Sequence, residues 1–295
     1  MKIKIQSICA TLFISLFLSC NNGVIEELQK QRDFILSISN LRQGFLDIFT
    51  SFGNMVSDTL SIKADTKKED IGKCFTNIEE TMKTTKEKLK DVLAKNGNYP
   101  KVKGEVEKFI EKLGIIEKGA KEAAEGAIGG DAISGATASG QDAVAADVTS
   151  VTALVKGIKG IVGVVLKQGE GDPTATKTKD AQQQTIGKLF SEKKSNGGTE
   201  VQAAAASASI GAISGTDILR AIAMSGDVTI GGVAINEVKD AANIAAGKTD
   251  SAQDLTVGSA KKDAVIAAGI ALRAMAKGGK FAKMRQQLKK SIDFF

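Results

Sequence analysis

The sequence predicts a mainly α-helical protein with at most a minor short strand pair, and three observations carry that reading. Apolar residues recur at helical spacing through most of the first 116 residues, and again over 144–165 and 259–276. Helix start and stop residues, such as Pro100 before one stripe and Gly278 with Gly279 after another, fall at the ends of those stretches. Glycine, 31 of 295 residues, exceeds the usual ~7% and concentrates between the periodic segments, where it marks loops. No repeat of fixed period interrupts this pattern.

The first segment stands apart from the folded protein. Lys2 and Lys4 precede an apolar run from about Ile8 to Leu18, and small Ser19 leads to Cys20, with no further charge before Glu26. This is the pattern of a secretory signal peptide over residues 1–19. A transmembrane helix takes about 20 apolar residues, and this run is shorter. A buried core helix would show a polar face, which is absent. The tetrapeptide "FLSC" resembles a bacterial lipobox, although Phe17 departs from the usual aliphatic residue. The expectation is cleavage before Cys20, which then carries S-diacylglycerol and N-palmitoyl groups; two or more acyl chains anchor a protein stably. Residues 20–23 become a lipidated tether, and 276 residues remain.

From Val24 to Ile62 a long amphipathic helix is predicted. Ile38, Phe45 and Phe52 repeat every seven residues, with Phe34, Leu41, Ile48, Met55 and Ile62 at the alternate position, so this heptad seam needs partner helices. Thr66 and Glu69 offer a capping box for a second helix, which runs through Cys74, Ile78, Met82, Leu89 and Val92 to near "KNGNYP". Pro100 suits the start of a third, with Val106, Phe109, Ile110, Leu113 and Ile116 as its stripe. After about Gly114 the texture turns to alanine and glycine, and 125–140 reads as loop. A helix resumes near Asp142, with Val144, Val148, Val151, Val155, Ile158, Val162 and Val165 inward. Its "GIKGIVGVVL" stretch reads as core, since it is too short to span a membrane. Residues 167–179 and 193–199 read as surface loops, and alanine-rich helical pieces alternate with breaks over 200–247. Among them, Thr216 is placed as the cap of "DILRAIAMSG", closed by Gly226. "DVTIGGVAI" (227–235) is the one place for a strand pair. A last helix runs from a Ser259 cap to Ala276, with Val265, Ile266, Ile270 and Met275 expected to be largely buried.

The composition excludes several chemistries. There is no histidine, so serine, cysteine and zinc hydrolase arrangements that need one are excluded. "AGKT" (246–249) lacks the upstream glycine of a phosphate-binding loop, because Ala242 stands there. "GEGDPT" (169–174) lacks the third glycine of a dinucleotide fingerprint; both read as surface turns. No catalytic, metal-ligating or cofactor-binding residue is assigned, and no cofactor is expected. Loss of Lys2 and Lys4 with the signal lowers the net charge from +6 to +4, a mild excess spread along the chain. With one tyrosine and no tryptophan, stacking on bases has little support, so nucleic acid is not an expected partner. Cys9 leaves with the signal and Cys20 is acylated. Cys74 then has no second cysteine for an intramolecular disulfide, and its place among Ile71, Phe75 and Ile78 makes it a small buried hydrophobe.

The segments "QGFLDIFTSFG" (43–53), "GKLF" (187–190), "SGTDILRAIA" (214–223) and "KKDAVIAAGIALRAMAKGGKFA" (261–282) resemble the variable large proteins of relapsing-fever Borrelia. The same blocks, slightly altered, occur in the Lyme-disease surface antigen VlsE. The resemblance implies an elongated helical bundle with a membrane-proximal stalk and a loop-rich distal dome. It also implies a surface-exposed lipoprotein of the cell outer membrane, expressed one version at a time and exchanged by recombination to evade host antibodies. In that frame 24–113 supplies long N-terminal helices, 114–256 the Ala/Gly-rich variable region and 257–282 a family-like core helix. Expected partners are outer-membrane lipid through acylated Cys20 and host antibodies, with 125–140, 167–179, 193–199 and 226–256 as the contacted loops. A homodimer stays open. So does the alternative reading of an adhesin binding host matrix, glycosaminoglycan or a serum factor, for which Lys83, Lys86, Lys88 and Lys90 are the candidate face.

The family pattern is departed from at the end. Resembling chains run on past "GGKFA" to a closing helix that pairs with the N-terminal one. Here 283–295 reads "KMRQQLKKSIDFF", an atypical basic tail. Phe281, Met284, Leu288, Ile292 and Phe295 fall at helical spacing, as for a basic amphipathic helix that covers part of the seam or lies on anionic lipid; a frayed end is the other reading. At about four turns it is too short for the whole seam of 24–62.

Overall fold

The computed structural model describes residues 63, 65–95, 100–138, 141–191, 199–248 and 253–282. The signal peptide, Cys20, the tether, the heptad helix of 24–62, most of the 193–199 loop and the 283–295 tail lie outside them. The described elements are α1 (Lys68–Lys95), α2 (Pro100–Gly126), α3 (Val148–Val165), α4 (Asp180–Thr185), α5 (Lys188–Ser191), α6 (Glu200–Gly211), α7 (Gly215–Ala223), α8 (Ala241–Ala245) and α9 (Asp263–Met275), with a 3-10 turn at Ile235–Glu237. The chain divides into two units, Met1–Ser57 with Thr81–Gly114, and Asp58–Glu80 with Ile115–Phe295.

In the first unit, the described parts of α1 and α2 bury Met82, Leu89, Val106 and Leu113, four of the stripe residues. Their outer faces carry short-range ion pairs such as Lys108–Glu105 at 2.8 Å, spaced one helical turn apart.

In the second unit, α9 packs against α6, α7 and α8. It is apolar on nearly every side, which is the pattern of a helix enclosed by others. Ile266, Ile270 and Leu272 are buried, while Val265 and Met275 are half-buried against the same core. Small residues let the neighbours approach. A Cβ on Gly269 would fall 2.6 Å from Ile244 Cγ2. Where α2 crosses α3, a Cβ on Gly157 would sit 2.3 Å from the Gly119 carbonyl oxygen. Glycine is required at that crossing because two main chains occupy the space of a methyl group.

Several helix starts differ from the sequence expectation. Thr66 does not cap α1 through a box with Glu69. Its hydroxyl accepts from the Lys63 N–H at 2.8 Å, and the Lys68 and Glu69 N–H groups donate to the carbonyls of Asp131 and Gly129 at 2.9 and 3.0 Å. A neighbouring loop supplies acceptors that the side chain was expected to provide. α3 begins at Val148, not near Asp142, since Asp147 caps it by accepting from the Ser150 N–H. Val144 is therefore exposed and bridges to Lys280 instead of facing inward. α7 is capped by Ser214, in a box with Asp217, and not by Thr216. Ser259 does not cap α9 either: its hydroxyl donates to the Lys239 carbonyl at 2.7 Å, and the helix starts at Asp263. No strand forms among the described residues. The stretch 227–235 is extended and turned, and Ala234 makes an isolated bridge to Lys248.

α3 is long and apolar enough to cross a membrane by length and composition. Val151, Leu154, Val155, Ile158 and Val162 are buried in the protein core, in keeping with its reading as core, while Val165 is exposed at its end.

Candidate display surface

Three described loops present main chain and polar side chains outward. Residues 128–131 are exposed, and Gly129 takes a φ of 115° to turn there. Residues 226–231 form a second exposed tip, in which Ile230 is 90% exposed and Gly231, with the adjoining Gly232, takes a positive φ, at 83° and 71°. The third loop, 167–179, turns at Gly169 and Gly171 with φ of 79° and 81°. Gly171 has a second reason to be glycine, since a Cβ would meet the Thr216 carbonyl oxygen at 2.5 Å.

Charged groups hold the third loop from behind. Asp263, the first residue of α9, is buried and accepts hydrogen bonds from the N–H groups of Lys177 and Thr178 at 2.6 and 2.9 Å. Its other oxygen accepts from the Thr178 hydroxyl at 2.6 Å and from Gln183 Nε2 at 3.1 Å. Burial alone would raise its pKa; the hydrogen bonds from Thr178 and Lys177 outweigh burial and hold the carboxyl below the usual range. Arg220 of α7 donates to the carbonyls of Lys167 and Glu170.

Two cations occupy the interior. Arg273 is fully buried and donates to the carbonyls of Ala245, Phe190 and Gly247 at 2.9, 2.8 and 3.2 Å. Its guanidinium lies 5.0 Å from the Phe190 ring centre, a cation–π distance, and Phe190 meets Phe281 edge-on at 5.8 Å. Burial pulls its pKa down to about 9, so it stays charged at neutral pH. Lys68, 1% exposed, donates to the carbonyls of Arg273, Ala276 and Gly279 at 3.0, 2.7 and 2.8 Å; the first two are open acceptors at the end of α9 and the third lies in the turn beyond it. Burial lowers its pKa to about 8, with Arg273 and Lys280 adding to the fall and Asp131 opposing it.

The residues singled out in the sequence are distributed differently. Cys20 lies outside the described residues. Cys74 is half-buried, not enclosed, and burial with the nearby Asp70 carboxylate pushes its thiol pKa up, away from reactivity. Lys83, Lys88 and Lys90 are exposed on α1, interleaved with exposed Glu87 and Asp91, which gives a mixed face and no basic patch. Residues 169–174 form a surface turn, in agreement with the sequence. "AGKT" does not, because Ala246 and Gly247 are buried and Gly247 gives its carbonyl to Arg273. The 226–256 segment is likewise only partly a display loop, as Ile235, Val238, α8 and Leu255 belong to the core. Among the described residues no group of three or more carboxylates or cysteines gathers as for a metal ion. Lys68, Asp263, Arg220 and Arg273 escape the sequence reading. A lone arginine inside the apolar run "AVIAAGIALRAM" is the available signal for one of them.

Helices packed through small-residue crossings define the described part of the chain as an all-helical protein. The family model described as Borrelia lipoprotein matches residues 45–293, and the chain belongs to that family. Within it, the chain is similar to variable large protein 17 of Borrelia hermsii, 53% identical over 96% of this chain and 79% of that protein. It is also similar to variable large protein 4 of the same species, 47% identical over 97% of this chain and 82% of that one. The crystal structure of the Lyme disease variable surface antigen VlsE of Borrelia burgdorferi superposes with a TM-score of 0.74, at 32% identity, covering 88% of each chain.

Proposed function

We propose that this chain is a surface-exposed lipoprotein of the outer membrane, anchored through acyl groups on Cys20, whose exposed loops act as a switchable antigen read by host antibodies. The observation that carries the reading is the likeness, over 88% of the chain, to a variable surface antigen. The loop geometry supports it: apart from Ala175 and Val228, which pack against the core, the exposed segments present mainly polar side chains outward, and such segments tolerate substitution. Export and anchoring are tested on intact cells. Radiolabelled palmitate should enter the protein and be lost in Cys20→Ser, which should also leave the membrane fraction. External protease should cut the exposed loops before cell lysis. Labelling that survives Cys20→Ser, or loops cut only after lysis, would overturn the reading.

A further inference from the structure

Of the two prolines in the chain, Pro100 follows Tyr99 and Pro173 follows Asp172, so Asp172–Pro173 is the single aspartyl–prolyl bond. Proline's peptide nitrogen is a tertiary amide, which takes up a proton more readily than an ordinary peptide and then leaves as a secondary amine. An aspartate before it reaches the scissile carbonyl carbon through a five-membered ring, and attack within one molecule gains greatly from proximity. Asp172 is exposed, and its Oδ1 accepts the Thr174 N–H at 2.8 Å and the Thr174 hydroxyl at 2.7 Å. A bond to the N–H two residues on folds the carboxylate back over the peptide between 172 and 173, which leaves Oδ2 to attack.

The chain is fastened independently on each side of this bond. Upstream, Arg220 donates to the carbonyls of Lys167 and Glu170, and Asp217 accepts the Asp172 N–H at 2.7 Å. Downstream, the Ala264 N–H donates to the Ala175 carbonyl at 3.1 Å, and Asp263 accepts the N–H groups of Lys177 and Thr178. The two sides also share a core, since α3 packs against α7, α8 and α9 and Lys68 holds carbonyls of Arg273, Ala276 and Gly279. The charged groups around the bond are Glu170, Lys177, Asp217, Arg220 and Asp263. Burial alone would raise the Asp217 pKa, but hydrogen bonds from Asp172 and Ser214, with Lys177 adding, hold it below the usual carboxylate range. Asp263 is held low as well, so both carboxylate grips outlast mild acid.

We infer that Asp172–Pro173 is a self-cleaving bond: in mild acid the Asp172 carboxylate cuts it, and the chain becomes two pieces that stay folded together. Asp172 Oδ2 attacks its own main-chain carbonyl carbon, forming a C–O bond and closing a five-membered anhydride. The C–N bond to Pro173 breaks, its electron pair stays on the proline nitrogen, and a solvent proton is taken up there. Water then opens the anhydride, leaving Asp172 with two carboxyl groups and Pro173 as a free secondary amine. The net change is hydrolysis of one peptide bond, with nothing oxidised or reduced.

The test holds the purified full chain at the lowest pH at which circular dichroism shows its helices intact, with a neutral sample beside it, and follows the mass for weeks. Two masses should appear in the acid sample, parted between residues 172 and 173, while size exclusion at the same pH gives one species of unchanged size. In Asp172→Asn and in Pro173→Ala the cut should slow about tenfold or more, and melting temperatures check that both variants fold like the parent. Cleavage in the folded chain should be at least as fast as in the same chain unfolded in urea at that pH, because the turn already holds the carboxylate over the bond. A chain that stays whole, an Asp172→Asn variant cut as fast as the parent, cleavage slower in the fold than in urea, or pieces that separate on the column would each overturn the inference.

Discussion

Lys68 and Arg273 are cations that meet carbonyl oxygens in the interior. The carbonyls at a helix end carry partial negative charge and lack partners of their own, and one ammonium satisfies two of them, on Arg273 and Ala276, together with that of Gly279 just beyond. Lys68→Met leaves those acceptors buried without a donor and is expected to lower stability by about 2–4 kcal/mol, measured by urea denaturation at pH 7. A pH signature should accompany it. Folding lowers the Lys68 pKa from 10.5 to about 8. Between those values the unfolded chain holds more protons, so this residue's contribution is least favourable below pH 8 and improves as pH rises toward 10.5. Parent stability should therefore gain on the variant as pH is raised from neutral into that window; parallel curves would assign the change to other groups. None of this is legible in the sequence. "TKKED" reads as a solvated helix start, and only the fold brings the carbonyls of residues 273–279 to that lysine.

At the scale of elements, glycines decide how close helices come. Gly157 faces the Gly119 carbonyl oxygen, and a methyl group there would also lie 2.5 Å from the Ala123 N. Gly157→Ala is expected to cost about 1–3 kcal/mol by forcing α2 and α3 apart. A methyl group on Gly163, in the same helix, would have nothing within 4 Å, so Gly163→Ala should stabilise by about 0.5–1 kcal/mol. Equal effects from the two, read by urea denaturation, would mean that the crossing is not tight. Helix existence is legible because the stripes are long: Val151, Val155, Ile158 and Val162 lie at the core positions where their spacing puts them. Helix starts are less so. Ser214 and Thr216 both suit a cap, as do Ser259 and Thr66, and the competing acceptors come from distant chain: Gly129 and Asp131 for α1, Lys239 for Ser259.

Over the whole molecule, ends of the described chain are fastened to one another. Bonds from Lys68 span 205 to 211 residues, and the Phe281 N–H donates to the Gly135 carbonyl while the Ala282 N–H donates to that of Leu189. Such long-range closure slows folding relative to a simple helical bundle, so refolding should take milliseconds or longer in stopped-flow measurements. Phe281 is fully buried against Phe190, and Phe281→Ala should cost about 3–5 kcal/mol and lower the melting temperature accordingly. A smaller loss would mean that the C-terminal segment is loosely held. The helical class could be read from the period of the apolar stripes. The display surface could be read only in outline, since glycine marks a loop but does not tell an exposed tip such as Ile230 from an enclosed stretch such as Ala241–Ala245.

The Lys68 contacts have a mechanical meaning as well. Load applied by anything that seizes the 167–179 loop is passed by Asp263 into α9 and by Arg220 into α7. From the end of α9, three parallel hydrogen bonds carry it into the first turn of α1. Force on that loop thus crosses from α9 to α1 through a short rivet of backbone and ammonium, without passing along the intervening sequence that makes up the loops.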